Sequence, residues 1–406
     1  MPIRAADFAV LALYLGGITL FGIRFRRGQA SVRDYFLGGR NTPWWALAAS
    51  IVATETSTLT IIGTPGIAFA GTLGFLQLAL GYILGRVLIS VLFLPAYFRG
   101  EFYTAYALIE KRFGGRTRRV AAVTFLGTRA LAEGVRLNAI GKVVSVAFGT
   151  GSRLSVALVT ALTLVYTFEG GMKAVIWTDL VQLALYLAGS ATAFWLLLGK
   201  IPGGWGEVVS ASAAAGGKLR VFDFSTSLTQ AYTFWAGVIG GTFLTLASHG
   251  TDQTIVQRLL AARNLRDSQK AILVSGLVVF VQFALFLVVG VMLFVYAQHA
   301  PLAAPQGDPD KIFPAFVVSQ MPVGVAGLVI AAMFAVAMSN ASGSLNSLAS
   351  SSVMDFHWLR GLGGDHASDD PARLVRLSRG ITLVWGVAIG GLALMEWKSV
   401  LVAGLS

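Results

Sequence analysis

Apolar residues run through this chain in long continuous stretches, with no strand-like alternation. A helix rising about 1.5 Å per residue needs about 20 mostly apolar residues to cross roughly 30 Å of hydrocarbon. Ten stretches reach that range: 6–23, 44–70, 73–98, 120–148, 154–170, 172–199, 232–256, 270–298, 324–353 and 375–396. An eleventh begins at Ser399 and is cut short at Ser406. Transmembrane β-strands would alternate apolar and polar positions over about ten residues. The pattern therefore predicts an all-α polytopic membrane protein, a helical bundle forming a single transmembrane domain over 1–406. The first stretch reads as a retained helix, because no small-residue cleavage site precedes the basic run from Arg24 to Arg27.

Composition agrees. Hydrophobic residues make up 55% of the chain and charged residues 12%, about half the usual 25% of a soluble domain. The absence of cysteine excludes disulfides, thiolate metal sites and a cysteine nucleophile. Four histidines leave little for a transition-metal cluster. The net charge of +12 is unevenly placed: nineteen Lys and Arg fall in the loops within 24–40, 99–119, 258–270 and 360–379, against six in the alternate loops and the N-terminus. Cytoplasmic loops carry the excess of basic residues. The chain is thus expected to be multi-pass in the cytoplasmic (inner) membrane with its N-terminus outside, the bilayer and not nucleic acid being its basic partner. Segments 201–230, 300–322 and 356–374, the last with Asp365, Asp369 and Asp370, read as connectors.

Polar groups interrupt several stretches. In the second, Glu55 lies among Ser50, Thr54, Thr56, Ser57 and Thr60, ahead of Gly63-Thr64-Pro65-Gly66, which reads as the breaker. Irregular backbone at membrane depth must face protein or a water-filled cavity, and its freed carbonyls suit cations. A Ser/Thr packing face with a proline kink is the alternative, and Glu55 favours function because an intramembrane carboxylate is costly to keep. The seventh stretch is interrupted by Gly240-Gly241 and a polar tail from Ser248 to Gln253. Interrupted helices opening two five-helix sets are a sign of an inverted-repeat transporter. In the ninth, Ser339, Ser342 and Asn346 share a helix face, as hard oxygen donors for a monovalent cation or as small-residue packing. In the fourth, Arg129, Glu133 and Arg136 share a face, either as an internal network or with Arg136 left to bind a carboxylate. Arg86 and Lys142 read as pairing or snorkelling residues.

Four motifs, in order, carry a family resemblance: Asp34-Tyr35-Phe36-Leu37-Gly38-Gly39-Arg40; Arg112-Phe113-Gly114; Gly170-Gly171-Met172-Lys173-Ala174-Val175-Ile176-Trp177-Thr178-Asp179-Leu180-Val181-Gln182; and Gly250-Thr251-Asp252-Gln253-Thr254-Ile255-Val256-Gln257-Arg258. With them the chain resembles the sodium:solute symporter family over essentially its whole length. The resemblance implies a leucine-transporter-type core of five plus five inverted helices: an extra helix at 6–23, a first repeat at 44–199, and a second at 232–406 that is incomplete at its C-terminus. It implies Na+ as coupling ion, no organic cofactor, no enzymatic activity and a small-molecule solute, with the monomer as functional unit. The solute class is a zwitterion or organic anion such as an amino acid, monocarboxylate or sugar acid.

By the same resemblance, sodium is held by the carbonyls of Ala53, Thr56 and Val336 and by the side chains of Ser339 and Asn340, where relatives carry a hydroxyl in place of Asn340. A second sodium would use Asp179 and Ser342, but Gly343 replaces a further hydroxyl; Asp179 alternatively pairs with Lys173 or caps backbone. Solute would meet Glu55, Ser57 and Thr60, be capped by Phe75 and Gln77, and contact Arg136, Thr245, Ser248 and His249, the last in place of an aromatic gate. Glu55 would favour a cationic group on the solute. A proton-coupled carrier titrating Glu55 or His249 is the alternative, followed by a transporter-derived sensor. An enzyme is disfavoured, since Ser248 and His249 are adjacent and do not share a helix face. A complete eleventh helix is implied, so the chain is expected to be a fragment.

Overall fold

The computed structural model describes residues 4–27, 29–100, 102–148, 152–227, 229–230, 232–300, 309–356 and 371–395. Among them the chain is helical, with one isolated parallel bridge between Thr42 and Ala262. Helix α1 is Ala5–Ile23. Helix α2, Val32–Leu37, is opened by a capping box between Ser31 and Asp34 and closed by Gly38 in the left-handed region (φ 57°), a conformation glycine adopts without steric cost.

The second apolar stretch forms α3, Trp44–Glu55, and α4, Thr58–Ala70, bent by 64°. The break falls at Thr56–Ser57 and not at the predicted Gly63–Gly66. Ser57 accepts from the Thr60 N–H, and the Thr60 hydroxyl accepts from the Ser57 N–H. This reciprocal cap starts a new helix. Pro65 stays inside α4, with its carbonyl against Gly290 of α12, Leu265–His299, where any Cβ would collide.

Helices α5, Leu76–Leu88, and α6, Leu94–Phe98, belong to one span, Leu73–Phe98. Helix α7 runs Ala105–Phe148 with a break at Gly114, and α8 runs Ser152–Lys200 with a break at Gly171, so the predicted stretches 154–170 and 172–199 form one interrupted helix. Helix α9, Gly204–Ala214, occupies the connector after it. Helix α10, Phe234–Gly250, is followed by α11, Gln253–Leu260. The seventh stretch therefore breaks at Thr251–Asp252, whereas its paired glycines lie in continuous helix. A Cβ on Gly241 would come 2.5 Å from the Leu78 carbonyl, and one on Gly81 would come 2.5 Å from the Gly237 carbonyl. These glycines let α5 and α10 pack backbone to backbone, as small residues do in membranes.

Helix α13 is Ile312–Gln320 and α14 is Val325–Asp355. The last described helix, α15, is Pro371–Ala393. Helix α14 is the axis of the bundle: 89% of its apolar window is buried, against α1, α3, α7, α8 and α15. Asp7 of α1 anchors its start, accepting from the Gly324 and Gly327 N–H groups at 2.7 and 2.8 Å. Six described helices are long and apolar enough to cross a bilayer, and the bent α3–α4 pair makes a seventh. The hydropathy pattern predicts ten; the difference lies where helices are interrupted, as in α8 and α10–α11, or carry several charges, as in α7. Asp365, Asp369, Asp370 and the stretch from Ser399 lie outside the described residues.

Candidate ion and solute site

The break between α3 and α4 interrupts the backbone ladder. In a continuous helix the Ser57 N–H would pair with the Ala53 carbonyl; here it donates to Thr60 instead. Ala53 sits fully buried on the last turn of α3. The Thr56 hydroxyl donates to the Val52 carbonyl at 2.8 Å and accepts from Gln282 Nε2 at 2.7 Å and the Tyr186 hydroxyl at 3.2 Å. Those bonds fix Thr56 from α12 and α8 and leave its carbonyl facing α14. There it accepts from Asn340 Nδ2 at 2.8 Å, and the same nitrogen donates to the Val336 carbonyl at 3.0 Å. Asn340 Oδ1 is buried without a hydrogen-bond partner. The neighbouring Ser339 hydroxyl donates to Asp179 Oδ1 at 2.6 Å. Thr56, Val336, Ser339 and Asn340 thus converge, and their oxygens are of the hard type that alkali and alkaline-earth cations take.

Asp179 is fully buried and pairs with Arg258, also fully buried, at 3.0 Å; Lys173 is not its partner. The Ser50 hydroxyl donates to Asp179 Oδ2 and accepts from Arg258 Nε at 2.8 Å, while Arg258 Nη1 donates to the Thr254 carbonyl at 2.8 Å. The guanidinium lies against Gly343, where a Cβ would come 2.6 Å from Nη2. Ser342 donates to the Ser339 carbonyl at 3.0 Å. A fixed cation and two hydroxyls therefore occupy the carboxylate beside the missing hydroxyl at Gly343.

A cavity of about 210 Å³ opens beside this region between α3, α5, α7, α10 and α11. Of the residues expected to meet solute, Glu55, Arg136, Thr245, Ser248 and His249 are on its wall, together with Tyr82, Arg129 and Asp252. Glu55 pairs with the fully buried Arg86. Arg86 Nη2 also lies 3.1 Å from His249 Nε2, and His249 Nδ1 lies 2.8 Å from the Ser248 hydroxyl. His249 Nε2 also lies 3.4 Å from Glu55 Oε2, so Glu55, Arg86 and His249 form one cluster on the cavity wall. The charge of Glu55 is met within the protein by Arg86.

On α7, Arg129 Nε donates to the Ser344 hydroxyl at 2.8 Å, and that hydroxyl donates to Glu133 Oε2 at 2.8 Å. Arg136 Nη1 is 3.6 Å from Glu133, and 35% of the Arg136 side chain is exposed. The three residues form the network predicted from their spacing, with Arg136 its accessible member.

The other predicted residues lie off this wall. Ser57 and Thr60 bond to each other. Phe75 packs on Tyr232 and Phe283, with centroids 5.5 and 4.9 Å apart. Gln77 is fully buried, donating to the Tyr232 carbonyl at 3.0 Å and accepting from the Asp223 N–H at 2.9 Å, which ties the long connector to α5. Sequence reasoning missed Arg258 as partner of Asp179, Tyr186 and Gln282 as supports of Thr56, and the Asp355–Arg118 pair at 2.8 Å. The available signal was charge: a buried carboxylate demands a buried cation, and Arg258 stands in one of the quoted motifs.

Known proteins are similar to this chain in sequence and fold. The chain is 29% identical over 395 residues to the sodium/sialic acid symporter of Proteus mirabilis, which covers 94% of this chain and 76% of that protein. It is 31% identical over 397 residues to the human sodium/iodide cotransporter, covering 94% of this chain and spanning 59% of the relative's length. A solved substrate-bound, outward-open state of a Na+-coupled sialic acid symporter superposes with a TM-score of 0.89 at 28% identity, covering 96% of this chain and 82% of that one. The sodium:solute symporter family matches residues 35–402, and the chain belongs to that family.

Proposed function

We propose that this chain performs sodium-coupled symport of a small organic anion or zwitterion across the cytoplasmic membrane by alternating access, with its N-terminus outside. The observation that carries the reading is the meeting of Thr56 with Val336, Ser339 and Asn340 at the break between α3 and α4, beside a cavity whose wall Glu55 shares. Sodium at the carbonyls of Ala53, Thr56 and Val336 and the side-chain oxygens of Ser339 and Asn340 would tie the broken span to α14 and order the cavity. Coupling follows from linkage: sodium raises solute affinity, and solute raises sodium affinity by the same factor. With about 100 mV across the membrane each inward charge gains about 2.3 kcal/mol, about 50-fold of accumulation.

A single sodium is coupled, because the Arg258 guanidinium already neutralises Asp179 where a second ion would need it. The solute carries a carboxylate for Arg136, the accessible arginine of the cavity, and is small, as pockets for drug-sized ligands run to about 300–1,000 Å³. The relatives named for sialic acid and iodide carry anions, which supports that class.

The test is thermal unfolding of detergent-solubilised protein in sodium, potassium and choline chloride, followed by a solute panel in sodium. Stabilisation by sodium alone, lost in Ser339→Ala, is the expected result. Equal curves from a folded sample would overturn the reading and move proton coupling to the front.

A further inference from the structure

We propose that Asn340 is an ion-free latch: its side-chain amide closes the junction between the broken span and α14 in the absence of sodium, and sodium binds only when the amide turns over. The latch itself stands on geometry alone, and its competition with sodium rests on the site proposed above.

One amide nitrogen faces two carbonyl oxygens, Thr56 at 2.8 Å and Val336 at 3.0 Å. Only the NH2 end suits that position, since the amide oxygen would oppose both carbonyls. Asn340 therefore bridges the break to α14 with its own two protons. The orientation has a visible cost: Oδ1 is buried without a partner, on a side chain only 2% exposed. A half-turn about the last side-chain torsion exchanges nitrogen for oxygen without moving the rest of the residue. The oxygen then joins both carbonyls and the Ser339 hydroxyl, a set of hard oxygen ligands that suits a cation. The two states exclude each other, because a cation cannot share the carbonyls with the N–H protons. A serine at this position behaves differently. Its single proton is satisfied on the carbonyl one turn back in its own helix, here that of Val336, leaving the Thr56 carbonyl without a cross-helix donor until an ion arrives.

Hydrogen exchange of the peptide covering residues 50–60, read by mass spectrometry in choline and in sodium chloride, tests this with the full chain. In choline the wild type is protected, whereas Asn340→Ala and Asn340→Ser exchange about tenfold faster, as expected for the loss of one or two net hydrogen bonds. Sodium restores protection to Asn340→Ser, and its half-saturating concentration, read for both proteins by thermal unfolding, is about tenfold below that of the wild type. Size-exclusion profiles confirm folded variants. Wild type and Asn340→Ala exchanging alike in choline overturns the latch and leaves the sodium site standing. Faster exchange in Asn340→Ser that sodium fails to slow overturns the competition and the sodium site together.

Discussion

Two of the helix breaks, at Thr251–Asp252 and Thr56–Ser57, are held in opposite ways. At Thr251–Asp252, between α10 and α11, several side chains and an ion pair brace the junction. Asp252 accepts from the Thr254 N–H at 2.7 Å, and Gln253 accepts from the Ala105 N–H at 2.8 Å. Gln257 donates to the Phe36 carbonyl at 2.8 Å and to Asn346 Oδ1 at 2.6 Å. Arg258 closes on Asp179 at 3.0 Å. At Thr56–Ser57 the hydroxyls are also spoken for, but the carbonyls that face α14 are met by one neutral amide. The first kind of break is a fixed joint. In the function proposed above, the second is opened by a change at a single side chain or closed by one cation, as an ion-coupled hinge requires.

Substitutions at the fixed joint should act on stability and leave ion binding alone, in descending order. Asp179→Ala strands a buried guanidinium and should cost about 3–5 kcal/mol, read as loss of folded protein or a large fall in the unfolding midpoint. Gln257→Leu leaves the Phe36 carbonyl and Asn346 oxygen without their donor and should cost about 2 kcal/mol by the same measurement. Asp252→Ala removes a helix cap and should cost about 1 kcal/mol, with sodium-induced stabilisation intact. A sodium response lost in Gln257→Leu or Asp252→Ala, with the fold retained, would erase the distinction between the two joints.

The chain's hydropathy located the helices well and the breaks poorly. Every apolar stretch before residue 396 is helical where described, apart from its ends and the breaks at Thr56–Ser57 and Thr251–Asp252, because continuous apolar length is a direct consequence of crossing hydrocarbon. Glycine and proline misled: Gly241 is demanded by close backbone approach to α5, a property of the partner helix that local sequence does not record, and Pro65 stays inside α4. The actual breaks are set by quieter signals, the Ser57–Thr60 reciprocal cap and the Asp252 cap. In the site, the gathering of Thr56, Val336, Ser339 and Asn340 followed from the resemblance. Long-range pairing did not: Glu55 with Arg86 and Asp179 with Arg258 join residues 31 and 79 positions apart. A single sequence shows only that such charges must be paired, not with which partner. The pairing of Glu55 with Arg86 was therefore not legible.

Equilibrium binding of radiolabelled sodium to the purified chain tests the central claim most directly. The account predicts saturation at a single ion per chain, abolished in Ser339→Ala and preserved in Asp252→Ala. Binding of two ions per chain, or binding unaffected by Ser339→Ala, would contradict it.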